Sequence, residues 1–347
     1  MVTQVFFSQD EEKFLEKFSS VIGNRLNGSV AIKLHMGEPG NNYFLKPAFV
    51  KKIVDILKNK GVEPFLFDSP VVYDSPRNSV NGYLTVVAKH GFTEDKIGCP
   101  VVVSDDYKEQ KILVDDKEIT FQVCKGLVEA DGVLVLSHVK GHMCSGFGAS
   151  IKNLGMGALT KETKGMIHAG GEPVYISGCT LCGLCSKNCP TDNIRYDKDK
   201  TFFKKILKQD DSKRPFFDKN WCCGCSNCAA VCPQKSIRPK MALFNDLLSA
   251  GALAALKNFK KSFFVNVAKD VTKLCDCMAD PGPMLSSDVG YLMSEGIACV
   301  DKAAYDLVVK QMKKDVFKEA NHISPLGHLT SFSKLSRSSL DYKIIRI

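Results

Sequence analysis

The fold is decided by the stretch VAIKLHMGEPGNNYFLKPAFVKKIVDILKNKGVEPFLFD, residues 30–68. It begins and ends with apolar runs rich in β-branched or aromatic residues, which are typical of buried strands. Between them, Pro47 suits the first turn of a helix. Apolar residues then recur at helical spacing as far as Leu57, and Gly61 suits the position just past the helix end. The stretch therefore predicts one β–α–β unit.

Further strand-like runs occur on both sides of this unit. They are VVV at 101–103, VLVL at 133–136 and KSFFVNV at 261–267. Nearly continuous apolar runs indicate strands covered on both faces, as in parallel sheets. Asp301 is predicted to cap a following helix. We therefore expect an α/β fold with a largely parallel sheet and helices on both faces.

Eight cysteines form a duplicated pattern in the middle of the chain. The pattern C-x2-C-x2-C-x3-C-P starts at Cys179 and again 43 residues later at Cys222. Three cysteines spaced by two residues can wrap one 4Fe–4S cubane, and the fourth, before proline, reaches the other cluster. The sequence thus predicts a first cluster on Cys179, Cys182, Cys185 and Cys232. It predicts a second cluster on Cys222, Cys225, Cys228 and Cys189.

Zinc is the alternative occupant of these cysteines, because C-x2-C pairs are common in zinc ribbons. Ribbons usually separate their pairs by a longer loop and do not repeat four cysteines that end in Cys-Pro, so the spacing favours iron–sulfur clusters. Cys223 is an additional cysteine beside the pattern. Its use in place of Cys222 would break the spacing, so we expect it to be unliganded.

Residues 171–240 differ from the rest of the chain, because cysteine, proline and charged residues dominate them. We interpret them as a two-cluster ferredoxin-like α+β insert. The insert would interrupt the α/β domain between a first part, residues 1–170, and a second part, residues 241–347. Three separate domains in a row are the alternative. The small size and few predicted strands of the last part favour the interruption.

The composition and charge limit the partners of the protein. The 347 residues carry a formal net charge of +9, which two oxidised clusters with their thiolates would lower to about +5. The sequence carries no nucleic-acid-binding motif, so we expect no nucleic-acid partner. No apolar stretch approaches the length of a membrane span, and the N-terminus does not resemble a signal peptide. These features predict a protein of the reducing cytoplasm that has no membrane partner.

Polar residues follow two of the predicted strands. His138, Lys140 and His142 come directly after the run at 133–136, and Lys33 and Glu38 lie at or after the end of the first strand. Ligands of open α/β sheets bind at the carboxyl ends of strands. Imidazoles can move protons or bind metal, and lysine can hold a carboxylate or phosphate. We predict these five as candidate catalytic residues; the alternative is ordinary surface-loop residues.

Cys275 and Cys277 form a separate C-x-C pair. Such a pair can hold a soft metal, with His138, His142 or Cys144 as possible further ligands. The alternative is a pair of packed thiols. We therefore keep Cys275 and Cys277 as a candidate extra metal site.

Several motifs resemble a known family. They are HVKGH at 138–142, GFG at 146–148, KNLGMG at 152–157, CDC at 275–277, SSD at 286–288, DKA at 301–303 and the loop at 33–42. Together they resemble the iron–sulfur-centre proteins of the domain-of-unknown-function 362 family, over essentially the whole chain. The resemblance implies an α/β domain and two 4Fe–4S clusters, but no settled reaction.

Three functions are compatible with these features. The first is an iron–sulfur redox protein, and so a ferredoxin-type oxidoreductase, whose clusters pass electrons to or from a small-molecule substrate or a redox partner protein at the α/β domain. The second is an electron carrier or docking protein without its own catalysis. A basic linker from Thr191 to Trp221 could then be a docking surface for an acidic carrier or simply a solvated face. Its basic residues are Lys204, Lys205, Lys208, Lys213, Arg214 and Lys219. The third is a metal-binding or maturation protein. The sequence leaves the oligomeric state open.

Overall fold

The computed structural model describes residues 2–196 and 214–347. Four of the six basic residues of the proposed linker surface, Lys204, Lys205, Lys208 and Lys213, lie outside these residues. Among the described residues, no helix is both long and apolar enough to cross a membrane.

The described strands are numbered in chain order. They are β1 (Thr3–Ser8), β2 (Ser29–Lys33), β3 (Glu63–Asp68), β4 (Val101–Val103), β5 (Tyr107–Val114), β6 (Lys117–Cys124), β7 (Gly132–His138), β8 (Lys140–His142), β9 (Gly146–Gly148), β10 (Pro173–Tyr175), β11 (Ile194–Tyr196), β12 (Pro215–Phe217), β13 (Ile237–Pro239), β14 (Ser262–Ala268), β15 (Gly290–Ser294) and β16 (Tyr342–Arg346).

The described helices are numbered in the same way. They are α1 (Glu11–Ile22), α2 (Pro47–Asn59), α3 (Val80–Lys89), α4 (Glu94–Ile97), α5 (Lys125–Glu129), α6 (Ser150–Gly157), α7 (Lys161–Gly170), α8 (Leu184–Lys187), α9 (Asn227–Ala230), α10 (Phe244–Leu256), α11 (Ile297–Met312), α12 (Val316–Asn321) and α13 (Gly327–Ser336), with a 3₁₀ turn at Pro76–Asn78.

The main sheet has eight strands in the order β16-β1-β15-β14-β7-β2-β3-β4. β15 is antiparallel to both of its neighbours, β1 and β14. The remaining neighbours in the sheet pair in parallel. The predicted largely parallel α/β sheet is therefore confirmed, whereas the reversed strand β15 and the edge strand β16 were not predicted.

Helices cover both faces of this sheet, and each strand of the centre contributes to two apolar cores. On β7, Leu134 and Leu136 belong to the core that packs under α1, α2 and α3. Val133 and Val135 belong to the core on the opposite face, which includes α6, α10 and α11. Successive side chains of a strand point to opposite faces, so the continuous apolar run at 133–136 is explained by burial on both faces.

The predicted β–α–β unit at residues 30–68 is confirmed. α2 begins at Pro47, and its buried residues include Val50, Ile53, Val54 and Leu57. Gly61 follows the helix with φ of +75°, a conformation that glycine adopts without steric cost. β2 and β3 then pair in parallel.

The strands on either side of residues 171–240 share one sheet. β14 lies between β15 and β7, although more than a hundred residues separate β14 from β7 in the sequence. The C-terminal part therefore supplies interior strands to the sheet that the N-terminal part begins. The exact domain boundaries stay a prediction.

The described parts of residues 171–240, which are 171–196 and 214–240, contain a duplicated arrangement. α9 lies 43 residues after α8, and β13 lies 43 residues after β11, which is the same offset as that of the cysteine pattern. A small core holds equivalent residues of both halves, Cys185 with Cys228 and Ile194 with Ile237. The duplication seen in the sequence is therefore also a duplication of structure.

Asp301 does not cap the helix in which we expected it to act, so that prediction is wrong. α11 already begins at Ile297, and Asp301 is fully buried inside it. Its carboxylate instead accepts hydrogen bonds from the backbone N–H groups of Ser150 (2.9 Å) and Ile151 (2.8 Å), the first residues of α6. Asp301 therefore caps a different helix from a distance of about 150 residues in sequence.

Candidate functional site

A cavity of about 420 Å³ lies at the carboxyl ends of the central parallel strands. Its wall includes Lys33 at the end of β2, Asp68 at the end of β3 and His138 at the end of β7. Residues of α6, the loop at 274–278 and Cys222 and Cys223 complete the wall. This is the position and size expected of a small-molecule site in an open α/β sheet.

Four of the five predicted catalytic residues line this cavity. They are Lys33, His138, Lys140 and His142. Glu38 is not part of the wall, but Tyr73, which is, donates a hydrogen bond to its carboxylate at 3.2 Å. The structure therefore brings the two predicted loops together, with Glu38 behind the wall.

Glu38 and Lys33 belong to a buried network of charges under the cavity. The fully buried Arg77 forms an ion pair with Glu38 and donates a hydrogen bond to the Tyr83 hydroxyl at 3.1 Å. Tyr83 donates to Asp68, and Asp68 lies 3.0 Å from the ammonium of Lys33. Because each charge has a partner of the opposite sign, Lys33 and Glu38 are suited to fix the geometry of the wall.

His138, Lys140 and Asp276 form a second charged group in the wall. His138 Nδ1 lies 2.9 Å from the Asp276 carboxylate, and its Nε2 lies 2.7 Å from the carbonyl of Lys269. Both partners are acceptors, so the ring is satisfied when both nitrogens carry protons. Burial by itself would raise the pKa of Asp276, but the positive charges of His138 and Lys140 hold that pKa below its usual value. This group can hold a proton at the wall of the cavity.

Two further histidines reach the cavity in neutral form. His142 Nδ1 accepts from the backbone N–H groups of Cys144 and Ser145, both at 3.2 Å, so the proton of the neutral ring is on Nε2. His168 Nδ1 donates to the carbonyl of Cys223 at 2.8 Å, which leaves its Nε2 as an acceptor. Burial lowers the pKa of both rings. The pair therefore offers one donor and one acceptor.

Lys152, Lys164 and His168 in the wall were not predicted as functional residues. Lys152 and Lys164 lie on α6 and α7, not at strand ends. Lys164 donates to the carbonyls of Ser69 (3.2 Å) and Pro70 (2.6 Å). The sequence signal for Lys152 is its place in the motif at 152–157, but helical spacing alone does not show which face meets a cavity. The glycines of that motif pack closely, since a Cβ on Gly155 would lie 2.3 Å from the carbonyl oxygen of Leu248.

The first predicted set of cluster ligands surrounds one small pocket. Cys179, Cys182 and Cys185 from the first repeat and Cys232 from the second line it together. Tyr196 and Ile237 complete its wall, and the Tyr196 hydroxyl lies 3.0 Å from the sulfur of Cys185. Three thiols of one loop and the Cys-Pro thiol of the other repeat are the donor set that a 4Fe–4S cubane requires. The residues present therefore fit this group.

The second predicted set gathers around Cys228. The charges of Cys222 and Cys189 act on the Cys228 thiol, and burial raises its pKa to about 12. Cys225 interacts with Cys228 as well. Asn193 contacts Cys189 at 3.0 Å and also hydrogen-bonds to Cys222. The four thiols of this set are thus neighbours and fit a second cubane. Cys223 lines the main cavity and shares hydrogen bonds with Cys144 and with Cys225 of this set.

Among residues 2–196 and 214–347, no group of three or more His, Cys, Asp or Glu side chains is drawn together closely enough to hold a metal ion. Cubane ligands bind from outside four irons and four sulfides, so they stand further apart than the ligands of one ion. The absence of such a group therefore does not test the two thiol sets described above. The zinc alternative would need four sulfurs at about 2.3 Å from one centre.

The C-x-C pair lies in the wall of the main cavity. Cys275 and Cys277 are joined by a disulfide and flank Asp276. In this form neither sulfur is a thiolate, so a metal could bind the pair in the reduced protein. The remaining isolated thiols, Cys99, Cys124 and Cys299, are buried in the apolar cores.

Fold and cavity define an α/β protein with a basic cavity at its strand ends and a duplicated cysteine-rich segment in the cavity wall. The chain belongs to the family described as domain of unknown function (DUF362), whose model matches residues 30–306. No curated protein matches the sequence.

Two solved structures are similar in outline. A crystal structure of a protein from Thermotoga maritima has 10% identity and a TM-score of 0.45 over 94% of this chain and 59% of that one. The lactate racemase apoprotein from Thermoanaerobacterium thermosaccharolyticum has 12% identity and a TM-score of 0.40 over 77% of this chain and 51% of that one. The chain thus spans between half and three fifths of the length of these two proteins.

Proposed function

We propose that the protein is an iron–sulfur redox protein of the cytoplasm that carries two 4Fe–4S clusters and exchanges electrons with a substrate bound in the cavity. The observation that carries the proposal is the position of Cys222. This residue is a predicted ligand of the second cluster and also lines the cavity that holds the candidate catalytic residues. A substrate there would be in the immediate neighbourhood of that cluster.

The clusters, when bound, would supply single electrons. The residues of the chain would supply binding and protons. His138 lies in hydrogen-bond contact with both the Asp276 carboxylate and the carbonyl of Lys269, and the neutral His142 presents its Nε2–H. Such a site suits transfer of electrons coupled to protons.

Anaerobic purification followed by iron and sulfide analysis and EPR tests the proposal. We expect about eight irons per chain. Cys182→Ser should remove one cluster, and Cys232→Ser should remove the same one, because both line the same pocket. Cys99→Ala, in the core away from the repeat, is the matched control and should keep both. Full iron content in Cys182→Ser, or fewer than two clusters in reconstituted wild-type protein, would contradict the proposal.

A second candidate function is an electron carrier that docks a partner protein. Large apolar side chains are exposed next to the cysteines: Trp221 is 69% exposed and Phe216 60%. Exposed aromatic side chains are common at protein interfaces. Reduction of an added acceptor protein that is slowed by Trp221→Ser, with no small molecule bound in the cavity, would favour this function over the first.

A further inference from the structure

Lys152 is the one lysine of the cavity wall that makes no hydrogen bond or ion pair with the described residues. Lys33 pairs with Asp68, and Lys140 and His138 share Asp276. Lys164 donates to three oxygens of Ser69 and Pro70. Among the described residues, no hydrogen bond or ion pair reaches the ammonium of Lys152, which lines the cavity. An uncompensated charge in a partly buried site is costly unless a ligand pairs with it.

His142 supplies a second, independent indication of a ligand. Its ring is 7% exposed, and hydrogen bonds fix the acceptor role of Nδ1. The Nε2–H that remains has no acceptor among the described residues. His142 lines the same cavity, and the charge of Lys152 acts on its ring. Two neighbouring donors without acceptors therefore face one space.

The rest of the cavity wall is suited to the apolar part of a small organic molecule. Apolar side chains that line the cavity are Leu45, Val71, Val72, Met143, Met156 and Leu274. A volume of about 420 Å³ is within the range of pockets that enclose small organic molecules, about 300–1,000 Å³. An inorganic ion would leave most of this apolar surface without a partner.

We propose that the cavity binds a small organic anion, whose carboxylate or phosphate accepts hydrogen bonds from the Lys152 ammonium and from His142 Nε2–H. The inference deepens the proposed function by naming the chemical class of its substrate, and in that respect it rests on that function. Binding itself needs no redox step, so it can be measured separately from the clusters.

Calorimetric titration of the anaerobic full-length protein with benzoate, phenyl phosphate and benzamide tests the proposal. Benzamide has nearly the shape of benzoate but no charge, so it reports the contribution of the anion. We expect benzoate or phenyl phosphate to bind, and benzamide to bind at least about tenfold more weakly, since a hydrogen bond to a charged group contributes about 1.5–3 kcal/mol. The comparison of the two anions distinguishes a carboxylate from a phosphate ligand.

Lys152→Met should weaken the binding of the preferred anion about tenfold to a hundredfold. Lys89→Met is the matched control, because Lys89 is an exposed lysine at the end of α3, on the other face of the sheet. His142→Phe should also weaken binding, while circular dichroism shows that each variant is folded. Equal affinity for benzoate and benzamide, unchanged affinity in Lys152→Met, or no binding of either anion would overturn the inference.

Iron analysis of the same samples separates this inference from the proposed function. Anion binding in a protein that holds no clusters would overturn the redox function and support the anion site. Two clusters in a protein that binds neither anion would support the redox function and overturn the anion site.

Discussion

At the scale of single residues, two kinds of polar group meet at the cavity. Some charges already have a partner within the protein, whereas two hydrogen-bond donors have none among the described residues. The pairs Lys33–Asp68 and Glu38–Arg77 are almost completely buried, so each is fixed by its partner. Lys152 and His142 differ from them because their donors face the cavity without a described acceptor. The residues at which binding is most sensitive to substitution should therefore be these two.

Anion binding should depend on pH through Lys152. Burial lowers the pKa of its ammonium from 10.5 to about 8. Below pH 8 the group is charged and can pair with an anion, and above pH 8 it loses its proton. We therefore expect the affinity for benzoate to fall as the pH rises from 7 to 9, as measured by calorimetry. In Lys152→Met this dependence should become weaker, and the part that remains should come from Lys164, whose pKa burial also lowers to about 8. A wild-type affinity that stays constant over this range would contradict the assignment.

At the scale of elements, the sequence predicted best those helices and strands whose signals lie close together in the chain. The β–α–β unit was correctly predicted because Pro47, the helical spacing and Gly61 are local signals. The reversed direction of β15 could not be predicted, because its apolar run fits either direction. The role of Asp301 could not be predicted either, because its partners Ser150 and Ile151 are brought to it only by packing of α6 against α11.

The same limit applies to the candidate site. Strand ends are local features, so Lys33, His138, Lys140 and His142 were found. Lys152 was not predicted because it lies in a helix. Only one side of that helix faces the cavity, and the packing of the helix in the folded protein determines which side that is. The cysteine spacing is also a local pattern, and it predicted the structural repeat in which α9 corresponds to α8 and β13 to β11.

The start of α6 should depend on Asp301. Asp301→Ala leaves two backbone N–H groups without their buried acceptor and removes the hydrogen bond from Asn266 at 2.7 Å. We expect the free energy of unfolding to fall by about 2–4 kcal/mol. Asp10→Ala is the control, because Asp10 caps α1 at the surface through one bond to the N–H of Lys13, and it should cost about 1 kcal/mol or less. Both free energies of unfolding can be measured by urea denaturation. Equal losses in the two variants would show that Asp301 stabilises the protein no more than an ordinary surface cap does.

At the scale of the whole molecule, the cysteine-rich segment is attached to the α/β part through a pair of strands. β10 and β13 are antiparallel, with Tyr175 opposite Ile237. The chain thus leaves and re-enters the α/β part at neighbouring points. This geometry is what an insert requires, and it does not depend on whether a cofactor binds to the segment.

Replacement of residues 176–236 by Asn-Gly tests that arrangement. Tyr175 and Ile237 are paired across the two strands, and Asn-Gly favours the two-residue turn that joins antiparallel strands. We expect a folded protein that keeps the helix and strand content of the main sheet by circular dichroism and holds no iron. An unfolded or aggregated product would show that the α/β part depends on the segment.

The order of the strands also has a consequence for synthesis. β14 is placed beside β7 in the finished sheet, but the ribosome makes all eight repeat cysteines before it makes β14. The residue that caps α6, Asp301, is made later still. While the chain emerges, β7 has no neighbour on that side and the cysteines are already outside the ribosome. Any cofactor of these cysteines would therefore have access to them before the centre of the sheet is complete.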